Sequence, residues 1–165
     1  MKRLVVIISA IGAMYLSSCK PSPKQAALYN DMIMAEQKKV VIAYDGLLST
    51  FDTYVARKMD SALIEFQSQT LEAIDNIKNI TPIPEGETLK MAVLDYLSTY
   101  KDVAENQADE LVRIYKIPEN EFTPEVRVRW DSKYKELDAT IKNADKKLKE
   151  VQKDFADNFH LTLSN

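Results

Sequence analysis

The stretch TPEVRVRWDSKYKELDATIKNADKKLKEVQKDF, Thr123 to Phe155, decides the fold. Thr123 is a residue type whose hydroxyl accepts from the first free N–H groups of a helix. Pro124 suits the first helical position, and Glu125 falls where the helix dipole is positive. From there Trp130, Tyr134, Leu137, Ile141, Ala144, Leu148, Val151 and Phe155 recur at alternating steps of four and three, the spacing of a coiled-coil-like seam. Outside the seam, Asp131–Lys135, Asp138–Lys142 and Asp145–Lys149 are pairs four residues apart with the acid nearer the amino terminus. That is a solvated face, each pair adding only about 0.2–0.5 kcal/mol. A helix over 124–159 with one narrow apolar stripe has to bury that stripe against other helices.

Three earlier segments supply them. Tyr29, Ile33, Val40, Tyr44, Leu47 and Phe51 mark one face of a helix over about 25–50. The capping residues in Ser49-Thr50-Phe51-Asp52-Thr53 predict a tight turn; the alternative, one unbroken helix to residue 79, would run about 80 Å at 1.5 Å per residue. Met59, Leu63, Phe66, Ala73, Ile77 and Ile80 share a face of a second helix, over about 54–79, which Thr81-Pro82-Ile83-Pro84 ends. Leu89, Val93, Tyr96, Tyr100, Val103, Leu111 and Ile114 do the same for a third, over about 85–115, closed by Pro118. Gln107 interrupts that third ladder, and a polar partner in the core would fix its register. Similar lengths and short connections predict an all-α domain over 25–165, an antiparallel up-down-up-down four-helix bundle.

Composition agrees. Only three glycines occur, and 28% of the 165 residues are charged, ordinary for a helical folded body. The net charge of −3 argues against a nucleic-acid partner, because neutralising phosphates needs a basic surface. The single cysteine, Cys19, excludes an intrachain disulfide.

Met1-Lys2-Arg3 followed by the apolar run Leu4 to Leu16 reads as a signal peptide, too short for the roughly 20 residues of a membrane span. Leu16-Ser17-Ser18-Cys19 resembles the bacterial lipobox, an aliphatic residue and two small ones before cysteine. The resemblance covers residues 1–19. It implies a lipoprotein signal peptide over 1–18, cleavage between Ser18 and Cys19, diacylglycerol on the Cys19 sulfur and a further acyl chain such as palmitate on the new amino terminus. Membrane attachment through lipid on Cys19 follows, two or three chains holding far better than one. The alternative is an ordinary signal peptide with a chance cysteine, or an uncleaved anchor. Lys20 stands where an aspartate would signal retention at the inner membrane, which implies the outer membrane of a bacterial cell envelope. The Ser-Ser-Cys ending resembles that of Bacteroidota lipoproteins, whose surface-export signal is an acidic cluster after the cysteine; none follows Cys19, so the resemblance implies the periplasmic face over the cell surface. Residues 19–24, with Pro21 and Pro23, read as acylated cysteine and extended tether; Lys20 to Lys24 reaches roughly 15 Å. The segment YNDMIMAEQKKV, Tyr29 to Val40, and the chain length resemble small helical-bundle lipoproteins of Bacteroidota and spirochaete-type surface proteins. That resemblance implies no chemistry.

Catalytic and metal motifs are sparse. Di-iron bundles need inward Glu and Glu-x-x-His pairs, whereas the one histidine, His160, falls at the carboxyl end of the last helix. Met32, Met34, Met59 and Met91 suit packing better than haem ligation. There is no glycine-rich phosphate loop, and a lipidated Cys19 is no nucleophile. No cofactor, metal site or catalytic residue is therefore assigned, although paired carboxylates of the glycosidase kind remain open among so many acids. The mature tyrosines, Tyr29, Tyr44, Tyr54, Tyr96, Tyr100, Tyr115 and Tyr134, line a ligand groove or, as their apolar faces favour, pack in the core with hydroxyls at its rim.

With the lipid at the bottom, residues near 50–56 and 116–123 form the distal end. All four mature arginines, Arg57, Arg113, Arg127 and Arg129, lie within about two turns of it, with Lys116 beside them. Guanidinium groups suit carboxylates and phosphates, and Phe122 and Ile117 add apolar contact. These residues predict a site for an acidic envelope protein loop or glycan. The competing reading is internal ion pairing with Asp52, Asp60, Glu110, Glu119, Glu121, Glu125 or Asp131. The expected function is a lipid-anchored, non-enzymatic binding or scaffolding module; the alternatives are a small-molecule or metal-binding bundle and an envelope enzyme.

Overall fold

The computed structural model describes residues 20–53 and 55–163. The signal segment, Ser18, Cys19 and Tyr54 lie outside the described residues. The chain runs α1 (Pro23–Phe51), α2 (Ala56–Asn79), α3 (Glu87–Asp102), a π-helical turn (Val103–Gln107), α4 (Ala108–Tyr115), a 3-10 turn (Glu119–Glu121) and α5 (Pro124–Phe159). The described residues contain no strand. With α3, the π turn and α4 forming one rod, the molecule is an all-α four-helix bundle.

The ends are set locally. Ser22 caps α1: its hydroxyl oxygen accepts from the Gln25 N–H, and Gln25 Oε1 accepts from the Ser22 N–H at 2.9 Å. This reciprocal box with Pro23 at the first position starts α1 two residues before the 25 expected, inside the segment read as tether. Thr123 caps α5 through the Val126 N–H, with Pro124 following. At the other end of α5, His160 adopts the left-handed conformation, φ 55°, and the Leu161 N–H reaches back to the Ala156 oxygen at 2.8 Å. That wrap lays Leu161 onto the core. Between α2 and α3, Ile83-Pro84-Glu85-Gly86 makes a tight turn closed by Gly86 N–H to Ile83 O at 2.8 Å, with Glu85 at φ 64°.

The expected ladders form the core. Every apolar position named above on the first and third helices is buried, as are Met59, Leu63, Phe66, Ala73 and Ile77 on α2 and Leu137, Ile141, Ala144, Leu148 and Phe155 on α5. At mid-height Tyr44, Phe66 and Tyr100 interlock edge to face, Tyr44–Tyr100 at 5.7 Å and Phe66–Tyr100 at 6.1 Å between centroids. Tyrosine hydroxyls find partners: Tyr29 donates to Gly86 O at 3.0 Å, and Tyr96 donates to Asp145 Oδ1 at 2.9 Å while accepting from Gln37 Nε2 at 3.1 Å. That bond takes Asp145 into a contact joining α1, α3 and α5. On the solvated face, Asp138–Lys142 closes at 2.8 Å.

The π turn carries the Gln107 irregularity. One extra residue in the turn widens the helical ladder and frees backbone groups. Gln67 on α2 donates to Ala104 O at 3.1 Å there. Gln107 Nε2 reaches Glu136 Oε1 on α5 at 3.3 Å, while its buried Oε1 meets no donor.

Candidate functional site

The distal end is shaped by the short link between α4 and α5. Past Tyr115 the Ile117 N–H turns back to Ile114 O at 3.1 Å. Pro118 opens the 3-10 turn, Phe122 N–H bonds Glu119 O at 3.2 Å, and Thr123 starts α5. Ile117 and Phe122 are thereby set beside the ends of both helices. Together with Tyr115, Glu119, Arg127, Trp130 and Asp131 they line a cleft of about 600 Å³.

The aromatic wall of the cleft is held from behind. Tyr115 donates its hydroxyl to Phe51 O at 2.6 Å. Trp130 stacks on Tyr134 at 5.3 Å and 17°, and meets Phe51 edge-on at 6.3 Å and 88°. The Trp130 indole nitrogen is buried and meets no acceptor among the described residues. Phe122, by contrast, stays 37% exposed. The mouth is therefore apolar and open, flanked by one cation, Arg127, and two acids.

The expected arginine cluster divides. Arg113 Nη2 pairs with Asp109 at 2.6 Å and Arg129 Nη2 with Glu110 at 2.5 Å. Lys116 pairs with Asp60 across to α2 at 2.8 Å. The Arg129 hydrogen bond, with help from Lys133, holds the Glu110 carboxyl below its usual range. These are exposed pairs, each contributing about 0–1 kcal/mol. Arg113 and Arg129 line a separate polar groove beside the π turn, with Gln107, Glu110, Lys133 and Glu136. Ile117 forms part of both walls. Arg57 stands exposed on α2, and neither it nor Arg127 forms an ion pair among the described residues. The structure thus brings together Phe122 and Arg127 and leaves Arg57, Arg113, Arg129 and Lys116 outside their cleft.

Sequence reasoning put Trp130 in the core seam of the last helix and Tyr115 among the tyrosines that line a groove or pack in the core, and neither at the distal site. The available signal was their position at the last turn of one helix and the second turn of the next. Side chains at adjoining helix ends contribute one flank to the core and leave the other at the rim.

Among the described residues, no group of three His, Cys, Asp or Glu side chains is placed to hold a metal ion, and no helix is long and apolar enough to cross a membrane. No family model, curated protein or solved structure matches the chain.

Proposed function

We propose that the protein is a lipid-anchored component of a bacterial cell envelope, attached to the outer membrane through Cys19, and that it acts without catalysis by binding an envelope partner at its distal end. The lipobox-like Leu16-Ser17-Ser18-Cys19 supports the attachment. The observation that carries the binding role is the open cleft of Tyr115, Ile117, Phe122 and Trp130 with Arg127 at its rim. An apolar or aromatic side chain of the partner would enter the cleft, and a nearby carboxylate would meet Arg127. Buried aromatic anchors carry most of the energy in such contacts, and a rim arginine adds orientation. This narrows the partner from an acidic one, expected from four arginines, to one presenting an apolar group beside an acid.

The test is capture from envelope extract by residues 20–165, beside a Phe122→Ala, Arg127→Glu double variant of matching circular dichroism. A partner held by the native protein and lost by the variant supports the tip. A partner held equally by both moves the site to the helix flanks. Incorporation of labelled palmitate, abolished by Cys19→Ser, tests the anchor separately.

A further inference from the structure

We propose that the end face of the bundle nearest Cys19 is a membrane-seating surface that rests directly on lipid headgroups, with no free tether between the acyl chains and the folded body. The inference rests on the reading that Cys19 carries the lipid, and adds to it where and how the body meets the bilayer.

The first observation is the set of contacts made by Lys20, the residue after Cys19. Its Nζ donates to Asn158 O at 3.1 Å, lies 3.6 Å from Glu85 Oε2, and sits over the Phe159 ring at 5.2 Å from the centroid. Those partners belong to the last turn of α5 and to the α2–α3 turn, so Lys20 is held across the end face from two sides. Ser22 then caps α1, and Pro23 is already helical. Three residues separate Cys19 from the helix, a span of about 10 Å even when fully extended. A lipid on Cys19 would draw this end face into contact with the membrane surface.

The second observation is what the face is made of. The turn Ile80 to Gly86, ITPIPEG, has one charged residue, Glu85, and its partner is Lys20. The stretch Leu161 to Leu163 has none. Pro82, Ile83, Leu161 and Leu163 are half-buried, leaving apolar surface at this end. Exposed Lys24, Lys78, Glu87, Asp157 and His160 surround it, in or beside the first and last turns of the helices that end there. The apolar centre of this face loses little hydration on approach to the headgroup and acyl boundary, and the charged groups around it stay at headgroup level. The end bearing Lys20 thus combines a short link to Cys19 with apolar residues at its centre, which suits a lipid surface. The 36 residues of α5 span about 54 Å, which sets the height of the tip cleft above the bilayer.

The test uses the mature lipidated protein in vesicles of phosphatidylethanolamine and phosphatidylglycerol. Spin labels are placed singly at Thr81→Cys and Thr162→Cys on the end face and at Asn120→Cys on the tip. Flotation of the vesicles reports anchoring. Collision of each label with a water-soluble nickel chelate reports seating. The expected result is a several-fold lower nickel accessibility at 81 and 162 than at 120, lost when a flexible Gly-Ser insertion separates Cys19 from Lys20. Protein that floats with all three labels equally accessible would overturn the seating while leaving the anchor intact. Labels still protected after the insertion would overturn the short attachment as its cause. Protein that fails to float would overturn the anchor, and the seating with it.

Discussion

Gln67 Nε2 and Ala104 O lie 3.1 Å apart, so a side chain of α2 supplies the donor for a carbonyl inside the π turn. Ala104 is fully buried, and an acceptor stripped of its donor there has no water to turn to. Gln67→Ala is expected to destabilise the bundle by about 1–2 kcal/mol, read from urea denaturation. Amide exchange over 103–108 should quicken more than exchange in α1. Unchanged exchange there would show that the carbonyl finds another partner.

Gln107 makes the opposite case. Its Oε1 is buried without a donor, and the one side-chain bond it makes among the described residues, to Glu136, is a long 3.3 Å. Gln107→Leu continues the apolar ladder of the third rod. It is expected to hold or raise stability, by up to about 1 kcal/mol. A loss of that size in the denaturation midpoint would mean that the Glu136 contact matters more than the orphaned oxygen.

The α2–α3 turn separates two neighbouring backbone demands. Glu85 sits at φ 64°, a conformation that favours glycine at the third position of such a turn. Glu85→Gly is expected to stabilise by about 0.5–1 kcal/mol despite losing the weak Lys20 pair. At Gly86 an added Cβ would lie 2.8 Å from Ile83 Cγ1 and 2.8 Å from Tyr29 Cε1. Gly86→Ala must displace the ring that bonds the Gly86 oxygen, at a cost of about 1–3 kcal/mol. Thermal melting of the two variants should shift in opposite directions.

Alkaline pH should open the core. Burial, with some repulsion from Glu87, pushes the Tyr29 hydroxyl up to about 12, and burial raises Tyr44, Tyr96 and Tyr100 as well. A folded pKa above the unfolded value of about 10 means the neutral hydroxyl is favoured by folding. Stability from this source is whole below pH 10 and drains away as pH rises through 12. Phenolate absorbance should therefore appear together with loss of helical circular dichroism. Full ionisation at pH 10 in a protein still folded would contradict the buried cluster.

The helices were legible in the sequence because their signals are local and repeated. Thr123-Pro124 marks the start of α5, and a stripe recurring over eight positions outweighs any single residue. The π turn was visible only as a polar residue, Gln107, at an apolar position. The donor that meets its Ala104 carbonyl comes from Gln67, 37 residues away, a contact that no local pattern encodes. The distal site was half legible. Charge position along the helices located Arg113 and Arg129 near the tip; Arg113 pairs locally with Asp109 four residues before it, but the pairing of Arg129 depends on rotation about each helix axis, which brings Glu110 to face α5. Asp145 shows the same limit: its spacing from Lys149 suggested a surface pair, yet it faces Tyr96.

The polar link between the first and last helices has a mechanical consequence. Gln152 Nε2 donates to Asn30 Oδ1 at 3.2 Å, Tyr29 packs on Phe155 at 6.1 Å, and Lys20 binds Asn158 O below them. A force pulling the amino terminus one way and the tip the other runs along the helix axes. These contacts are then loaded side by side and must slip together, instead of parting one after another. Pulled from two points at the same end, the same contacts would peel in sequence. Tension along the length therefore engages these three contacts at once.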